Sequence, residues 1–561
     1  MEYPFDLGGY CRKIRTDFSE AQTWFDRGLI WTYAFHHEEA ARCFELAWTA
    51  DSSCAMAAWG LAYTLGPNYN KPWSVWDEEE LRMTTRRVYE VALAAEQLAG
   101  REESLEQALC AALRLRYPQA EPPEPREKCE DWNKAYAIAM RAVYDRFGDD
   151  LDVAVLFADA LMNLTPWQLW DLQTGEAGMY TMEIKRVMER AFTESPQGSL
   201  RHPGLLHLYI HLMEMSSTPE AALGRADVLR DLVPDAGHLQ HMPSHLDVLC
   251  GRYEAAIVSN QAAIRADEKF IEWSKHTATA TATATTSSSF YTLYRCHDYH
   301  FCIYAALFAG KKQVALDTVA RLEESLPEAL LRVSSPPMAD WLEVFCGMRV
   351  HVLVRFGEWE ELLAYPVPSD TTLYSVTTAL IHYGKGVAHA ARGETDCAAR
   401  SLHSFLVARE KVSPSRTLFN NSCLDILGIA EAMLRGELAY RLGEIEQGFE
   451  WLRTAISRAD SLPYDEPWGW MQPARHAYGA LLLEQGRVEQ AMAVYAADLG
   501  IDGGDTSLPR ALRHPRNVWA VHGYRECLRL LGREDVEIDH LLGGLLDAAD
   551  VTVSSSCFCR K

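Results

Sequence analysis

The sequence predicts an all-α protein, an irregular tetratricopeptide-like helical-hairpin solenoid, in other words an α-α superhelix. Three observations lead there. Ala, Leu, Glu and Arg dominate, and apolar residues recur at steps of three and four, the period of one helix face. No long alternating Val/Ile/Thr pattern offers a half-buried strand. A degenerate repeat also runs through the chain, and such repetition decides the fold before any single element does.

The first hairpin shows the repeat most fully. Trp24, Gly28, Trp31, Ala40, Phe44 and Ala47 fall at tetratricopeptide spacing. Small residues at Gly28 and Ala40 let two helices approach closely, and large ones fill the gaps between them. Arg27 and Ser52 depart from the usual Leu and Pro. The turn and second helix recur as Gly251 with Ala256 and Ala263, as Gly393 with Ala398 and Phe405, as Gly443 with Gly448, and as Gly486 with Ala491 and Tyr495. Spacings are uneven: Gly251 and the next such turn, Gly310, stand 59 residues apart.

The whole chain, 1–561, is expected to be one continuous array. Within it fall N-terminal hairpins at 17–117, a histidine-rich central part at 127–310, C-terminal hairpins at 311–532 and a tail at 533–561. Pro118 to Pro125 forms a proline-rich connector, and Pro336-Pro337 and Pro463 to Pro473 are turns. His276 to Ser289, HTATATATATTSSS, has no apolar face; it reads as a disordered insertion or as a mobile lid beside a histidine pair.

Composition narrows the function. The balance of 54 Lys and Arg against 78 Asp and Glu gives a net charge of −24, with no basic tract. A nucleic-acid partner would need a cationic stripe, so none is expected, and anionic membranes are disfavoured too. No apolar run is long enough for a membrane span, and the opening residues lack an apolar h-region, so no secretory leader is expected. The 14 Cys are scattered, with only Cys557 and Cys559 close together, so a reducing, cytoplasmic location is expected. No P-loop and no nucleophile elbow occur, and Asn68 and Asn70 in GPNYN read first as turn residues.

The histidines carry the chemical signal. Residues 202–245 hold six of the 19, His202, His207, His211, His238, His241 and His245, about four times an even share. His297 and His300 follow. His207 and His211 are four apart and so share a helix face, the way one helix offers two imidazoles to one ion. Glu214 continues that stripe, but it stands about 10.5 Å along the helix from His207, which makes it a second-ion ligand or a partner to an imidazole N–H.

His238, His241 and His245 surround Pro243, which suits a helix start; His238 and His241 are then expected on the entering loop. Buried imidazole without partners is costly, so clustering on this scale points to a metal site. The expected ligands are His207, His211, His241, His245, His297 and His300, with His37, His202, Glu214 and His238 in support or on a second ion. An imidazole-rich, thiolate-poor set suits copper or iron, with zinc the alternative. Trp167, Trp170 and Tyr294 are candidates for a substrate pocket.

The resulting expectation is a metal-dependent oxidase or oxygenase acting on a small organic molecule. Two alternatives stand beside it: a scaffold holding a peptide or protein partner in the solenoid groove, and a zinc-dependent hydrolase or lyase.

Several stretches carry a family resemblance: FHHEEAARCFELAWTADSSCAMAAWGLAYTLGPNYN, DVAVLFADALMNLTPWQLWD, HPGLLHLYIHLMEMSSTPEAAL, GHLQHMPSHLDVLCGRYEAA and LPYDEPWGWMQPARHAYGALLLEQGR. From about Asp17 to Gly532 the chain resembles bacterial and fungal tetratricopeptide repeat proteins with a histidine-rich centre, and more distantly the tetratricopeptide repeat protein 38-like group. The family pattern is similar to HPGxNHxYIHxxE, GHLxHMPxHI and PHNxHF, onto which His202, His207, His211, Glu214, His238, His241, His245, His297 and His300 fall. His37 matches a family N-H-E-E-A turn, with His36 in place of Asn. Leu206 replaces an Asn, Cys296 replaces a Pro, and the Thr/Ala stretch is longer than usual. The resemblance implies the fold and no particular activity.

Overall fold

The computed structural model describes residues 3–277, 290–501 and 508–560. Of the Thr/Ala stretch, residues 278–289 lie outside the described residues, and with them the lid reading. The described chain is helical almost throughout; its two strands are the dipeptides Thr417–Leu418 and Asn421–Ser422, paired antiparallel. It divides into two compact units, the first comprising Met1–Leu246 with Ala262–Arg295 and the second Asp247–Gln261 with Cys296–Lys561.

In the first unit, helices Ser19–Tyr33 and His37–Ala50 form the opening hairpin and Ala55–Thr64 packs on both. Phe44 explains the glycine pattern. A Cβ at Gly28 would meet its ring at 2.9 Å and one at Gly60 at 2.4 Å, so the ring occupies the space both helices leave. Further pairs follow in Glu78–Ala99 with Leu105–Arg116, and Cys129–Phe147 with Leu151–Met162. Asp77 caps the first of these, its carboxylate accepting from Glu80 N at 2.9 Å.

The second unit repeats the scheme with Ser375–Arg392 against Thr395–Arg409, Cys423–Arg441 against Ile445–Asp460, and Ala474–Glu484 against Val488–Leu499. The sequence-predicted turn glycines Gly251, Gly310, Gly393, Gly443 and Gly486 all have positive φ. At Gly393 (φ 82°) this closes the helix: its N–H reaches Ala390 O and the next N–H reaches His389 O, both at 2.8 Å. Tyr495 mirrors Phe44, its ring lying 2.5 Å from where a Cβ at Gly479 would stand and 2.4 Å from one at Gly523.

The segment 549–560 follows the helix Val536–Ala548 without regular secondary structure, and it is seated in the second unit. Asp550 accepts from the N–H groups of Lys312 at 2.6 Å and Gln313 at 3.0 Å, the open end of the helix Lys312–Glu324. Ser556 is buried: its Oγ donates to His476 O at 2.8 Å and meets Tyr495 Oη at 2.6 Å. Arg355 and Arg441 donate to the carbonyls of Ser556 and Cys559. Arg355 Nη1 also donates to His476 Nδ1 at 2.9 Å, which leaves Nε2–H of that ring to donate to Asp498 at 2.9 Å.

Candidate metal centre

The helix Pro203–Glu214 positions the first two imidazoles, and His202 starts it. Leu205 N–H donates to His202 Nδ1 at 3.2 Å, and Pro203 fills the first helical position, where no N–H is needed. His202 Nε2 stands 3.1 Å from Asp152 Oδ1, so this ring works as a cap tied to the neighbouring helix. Asp152 is held by Arg12 Nη1 at 2.5 Å and by the Tyr33 hydroxyl, and His202 and Arg12 offset its burial to hold it below the usual carboxylate range.

His207 and His211 follow on one buried face, ring centroids 4.9 Å apart. His207 Nδ1 is 2.6 Å from Tyr33 O. A carbonyl only accepts, so Nδ1 carries the proton and Nε2 presents its lone pair. His211 Nδ1 is 2.9 Å from Glu214 Oε1, and its buried Nε2 has no hydrogen-bond partner.

The sequence placed His238 and His241 on an entering loop; they lie instead on a helical turn of their own, Gly237–His241, and Pro243 opens the next helix, Pro243–Leu249. Pro243 lacks an N–H, so it can begin a helix but cannot extend the preceding one through itself. His238 Nε2 faces His207 Nε2 at 3.2 Å. His241 Nε2 faces His245 Nε2 at 2.7 Å, and His245 Nδ1 bonds the second oxygen of Glu214. Glu214 thus holds both His211 and His245 by Nδ1 and turns their Nε2 atoms outward.

Distances separate the two imidazole groups. Two nitrogens on one tetrahedral ion at about 2.0–2.1 Å stand about 3.4 Å apart. His207 and His238 come close to that, and one nitrogen each of His207, His211 and His238 lies within 4.8 Å of the others. His241 and His245 are closer than two ligands of one ion would sit, at a hydrogen-bond distance. His238, expected in support, therefore joins the converging set of His207 and His211, while His241 and His245, expected as ligands, face each other through Nε2 and remain close enough for an ion between them with a small opening of the pair.

Burial keeps these rings neutral: His207 is driven well below its ordinary value and His211 down to about 3. Burial pushes the Glu214 carboxyl up, and the two imidazole N–H groups it holds work against this by favouring the carboxylate. Neutral imidazoles with fixed tautomers and an orphaned Nε2 fit a transition-metal ion, and the set contains no thiolate.

Aromatic rings wall the cluster. Trp167 meets His211 edge-on at 5.7 Å and Tyr294 meets His238 at 4.7 Å. Trp170, also expected in a pocket, spends its indole N–H on Leu212 O at 2.6 Å and ties down the end of the ligand helix. Sequence reasoning missed Phe35 and Tyr69. Phe35 has φ 54° and lays its ring 4.5 Å from His207, 6.1 Å from His211 and 5.6 Å from His238. Tyr69 lies 5.0 Å from His211 and takes the N–H of Trp167, itself at φ 61°. Left-handed backbone at two bulky residues beside one imidazole is local strain held by its surroundings. The signal in the sequence was adjacency, Phe35 before His36-His37 and Tyr69 between Asn68 and Asn70.

His37 contacts Asn68 Nδ2 through Nδ1 at 3.3 Å and meets Phe35 at 6.0 Å, outside the converging nitrogens. His297 and His300 belong to the second unit. There His300 Nε2 stands 2.8 Å from Met471 Sδ, and His297 packs on Phe301 and Phe419.

No protein-family model matches the chain, and no curated protein matches it. Among solved structures, a chain of the APC/C hetero-tetramer Cut9-Hcn1 is 12% identical, covering 95% of this chain and 78% of its own, with a TM-score of 0.31. Naa15/Naa10 bound to HypK-THB gives 12% identity, 94% and 70% coverage and a TM-score of 0.23. Yeast Tom70 gives 10%, 93% and 99%, and 0.28. Similarity at this level carries no argument about activity or partners. No described helix is long and apolar enough to cross a membrane.

Proposed function

We propose that the first unit binds one transition-metal ion through His207, His211 and His238, with Glu214 and Tyr33 O fixing the rings that carry it. The observation behind this reading is the orphaned His211 Nε2 in a buried set where His207 Nε2 also presents its lone pair and His238 stands within the same reach. A fully buried acceptor without a partner costs about 1–3 kcal/mol, which a bound ion would offset. Copper, iron or zinc held there would supply Lewis-acid or redox chemistry. This chain's own contribution is to orient the imidazoles and wall them with Phe35, Tyr69 and Trp167. Elemental analysis of the purified protein tests it: near one metal per chain is expected, falling to background in His211→Ala with unchanged helix content. Metal-free wild-type protein that takes up no copper, iron or zinc would sink it.

A second reading, a scaffold for a peptide or protein partner, draws on the second unit. That unit already seats the irregular segment 549–560, with Arg355 and Arg441 donating to main-chain carbonyls at a bend and a turn, independently of side-chain identity. Main-chain reading of this kind suits a peptide partner. Dioxygen uptake by the metal-loaded protein tests whether an ion held in the first unit supports oxidase or oxygenase chemistry.

A further inference from the structure

In the first unit, Arg116 ends the helix Leu105–Arg116 fully buried. Its Nε donates to Asn133 Oδ1 at 3.1 Å and its Cζ lies 5.0 Å over the Tyr136 ring. Both terminal nitrogens, Nη1 and Nη2, are buried without a hydrogen-bond partner. The Tyr136 hydroxyl is buried and unpartnered in the same way, as is the indole N–H of Trp73, whose ring stands edge-on to Tyr117 at 6.5 Å; the buried Tyr117 hydroxyl makes no well-aligned bond but lies against the Arg116 guanidinium, which opposes the effect of burial on the phenol. The carboxylates whose charge reaches Arg116 are engaged elsewhere. Asp159 Oδ2 takes the Tyr63 hydroxyl at 2.6 Å, and Glu130 Oε2 takes Asn133 Nδ2 at 3.3 Å.

This is an unusual inventory for a protein interior. A guanidinium cannot shed its proton, and burying it without a hydrogen-bonded anion is among the costlier things a fold can do. Around it stand groups that donate or can donate: four terminal N–H bonds, two phenols and an indole. A helix-end arginine serving only the helix dipole would place its charge against the last carbonyls or in water. This one is turned inward, among aromatic rings. Such a set lacks one component, a planar anion accepting two parallel N–H bonds, for which the arginine fork is built.

The surroundings connect it to the imidazole cluster. The loop Gly66–Lys71 runs between them. At Gly66 a Cβ would collide with Tyr117 Oη at 1.8 Å, so the hydroxyl lies against bare backbone. Two residues on, Asn68 contacts His37, and Tyr69 then packs on His211. The charge of Arg116 is also felt at His37.

We infer that Arg116, with the hydroxyls of Tyr117 and Tyr136, is a buried binding site for the carboxylate of a small organic anion. Recognition would be bidentate at Nη1 and Nη2, and the aromatic walls favour a ligand with an apolar body. None of these residues is a proposed ion ligand, so carboxylate binding here does not depend on a bound metal.

The test uses the full chain and formate, acetate and benzoate as probes, with neutral benzamide as the control. Thermal melting and titration calorimetry should show saturable stabilisation by at least one carboxylate and none by benzamide. Tyr136→Phe and Tyr117→Phe, which keep the rings, should each weaken carboxylate binding about tenfold, the scale of a hydrogen bond to a charged group. Arg116→Gln should abolish it, and Arg116→Lys, which keeps charge without the fork, should retain only a fraction. If Arg116→Gln does not fold, the two phenylalanine variants decide the matter. Equal shifts with benzoate and benzamide, no shift with any carboxylate, or unchanged affinity in both phenylalanine variants would each overturn the assignment and leave Arg116 as a structural charge solvated by water only.

Discussion

Glu214 accepts from His211 Nδ1 at 2.9 Å with both side chains fully buried, and its other oxygen takes the Nδ1 of His245. One carboxylate therefore sets the tautomer of two rings from different helices. Glu214→Gln keeps the shape but can accept through only one oxygen, so one imidazole loses its orienting partner. Loss of such an outer partner typically costs 10–100-fold in metal affinity. Competition against a chromophoric chelator should show that drop with little change in helix content. An unchanged affinity would mean that Glu214 only satisfies buried rings.

Gly60→Ala tests the packing of the first hairpins. The added methyl would stand 2.4 Å from the Phe44 ring, which is fully buried and also blocked on its Gly28 side. The ring cannot retreat, so overpacking should cost about 1–3 kcal/mol. Gly486→Ala, where a Cβ meets nothing within 4 Å but φ is +68°, isolates backbone strain from crowding. A melting series should rank Gly60→Ala as the more damaging of the two.

The repeat was legible because its marks are local. Gly28 against Phe44, and Gly393 and Gly486 after their helices, are spacing and turn signals that survive divergence. The same-face pair His207 and His211 was legible for the same reason, being fixed by helix geometry alone. The direction of each ring was not. That His238 turns to His207 while His241 turns to His245 depends on a helical break at Met242 and Pro243 and on hydrogen bonds to Tyr33 and Glu214, none of which periodicity reports. Phe35 and Arg116 were invisible for a further reason. A left-handed aromatic and an unpartnered buried arginine are exceptions to the rules by which a sequence is read, and only the surrounding structure reveals them.

Ser556 offers a way to loosen the seated segment. Its hydroxyl bridges Tyr495 Oη and His476 O in a fully buried position. Ser556→Ala leaves both partners short of one bond, at a cost of about 1–3 kcal/mol. Local opening should follow before global unfolding, because the segment has no helical hydrogen-bond ladder of its own and is held only by contacts to the unit's side chains and helix ends. Hydrogen exchange should show faster labelling of 549–560 with little change in the helices Ala474–Glu484 and Val488–Leu499. Cooperative loss of those helices would instead make the segment an inseparable part of the core.

His36 provides a test by pH. Its ring stacks on Tyr291 at 3.6 Å and lies 4.3 Å from Phe270, 2% exposed, with neither nitrogen within hydrogen-bond reach of a partner and the Glu38 carboxylate 3.9 Å from Nδ1. Burial, helped by neighbouring His37, Arg295 and Arg42, lowers it to about 3. The unfolded chain takes a proton on this ring near pH 6.5 and the folded chain does not until far lower, so the unfolded state binds more protons between these values. Stability from this group is therefore intact above about pH 6.5 and declines as pH falls towards 3, by about 2 kcal/mol at pH 5. His36→Phe keeps the aromatic stack and removes both unpartnered nitrogens, so the variant should melt higher than wild type at pH 7.5 and its advantage should widen as the buffer is acidified. Melting curves of both proteins from pH 7.5 to 5 read the difference directly; parallel curves would show that His36 is solvated or paired in a way its stacked, buried position does not suggest.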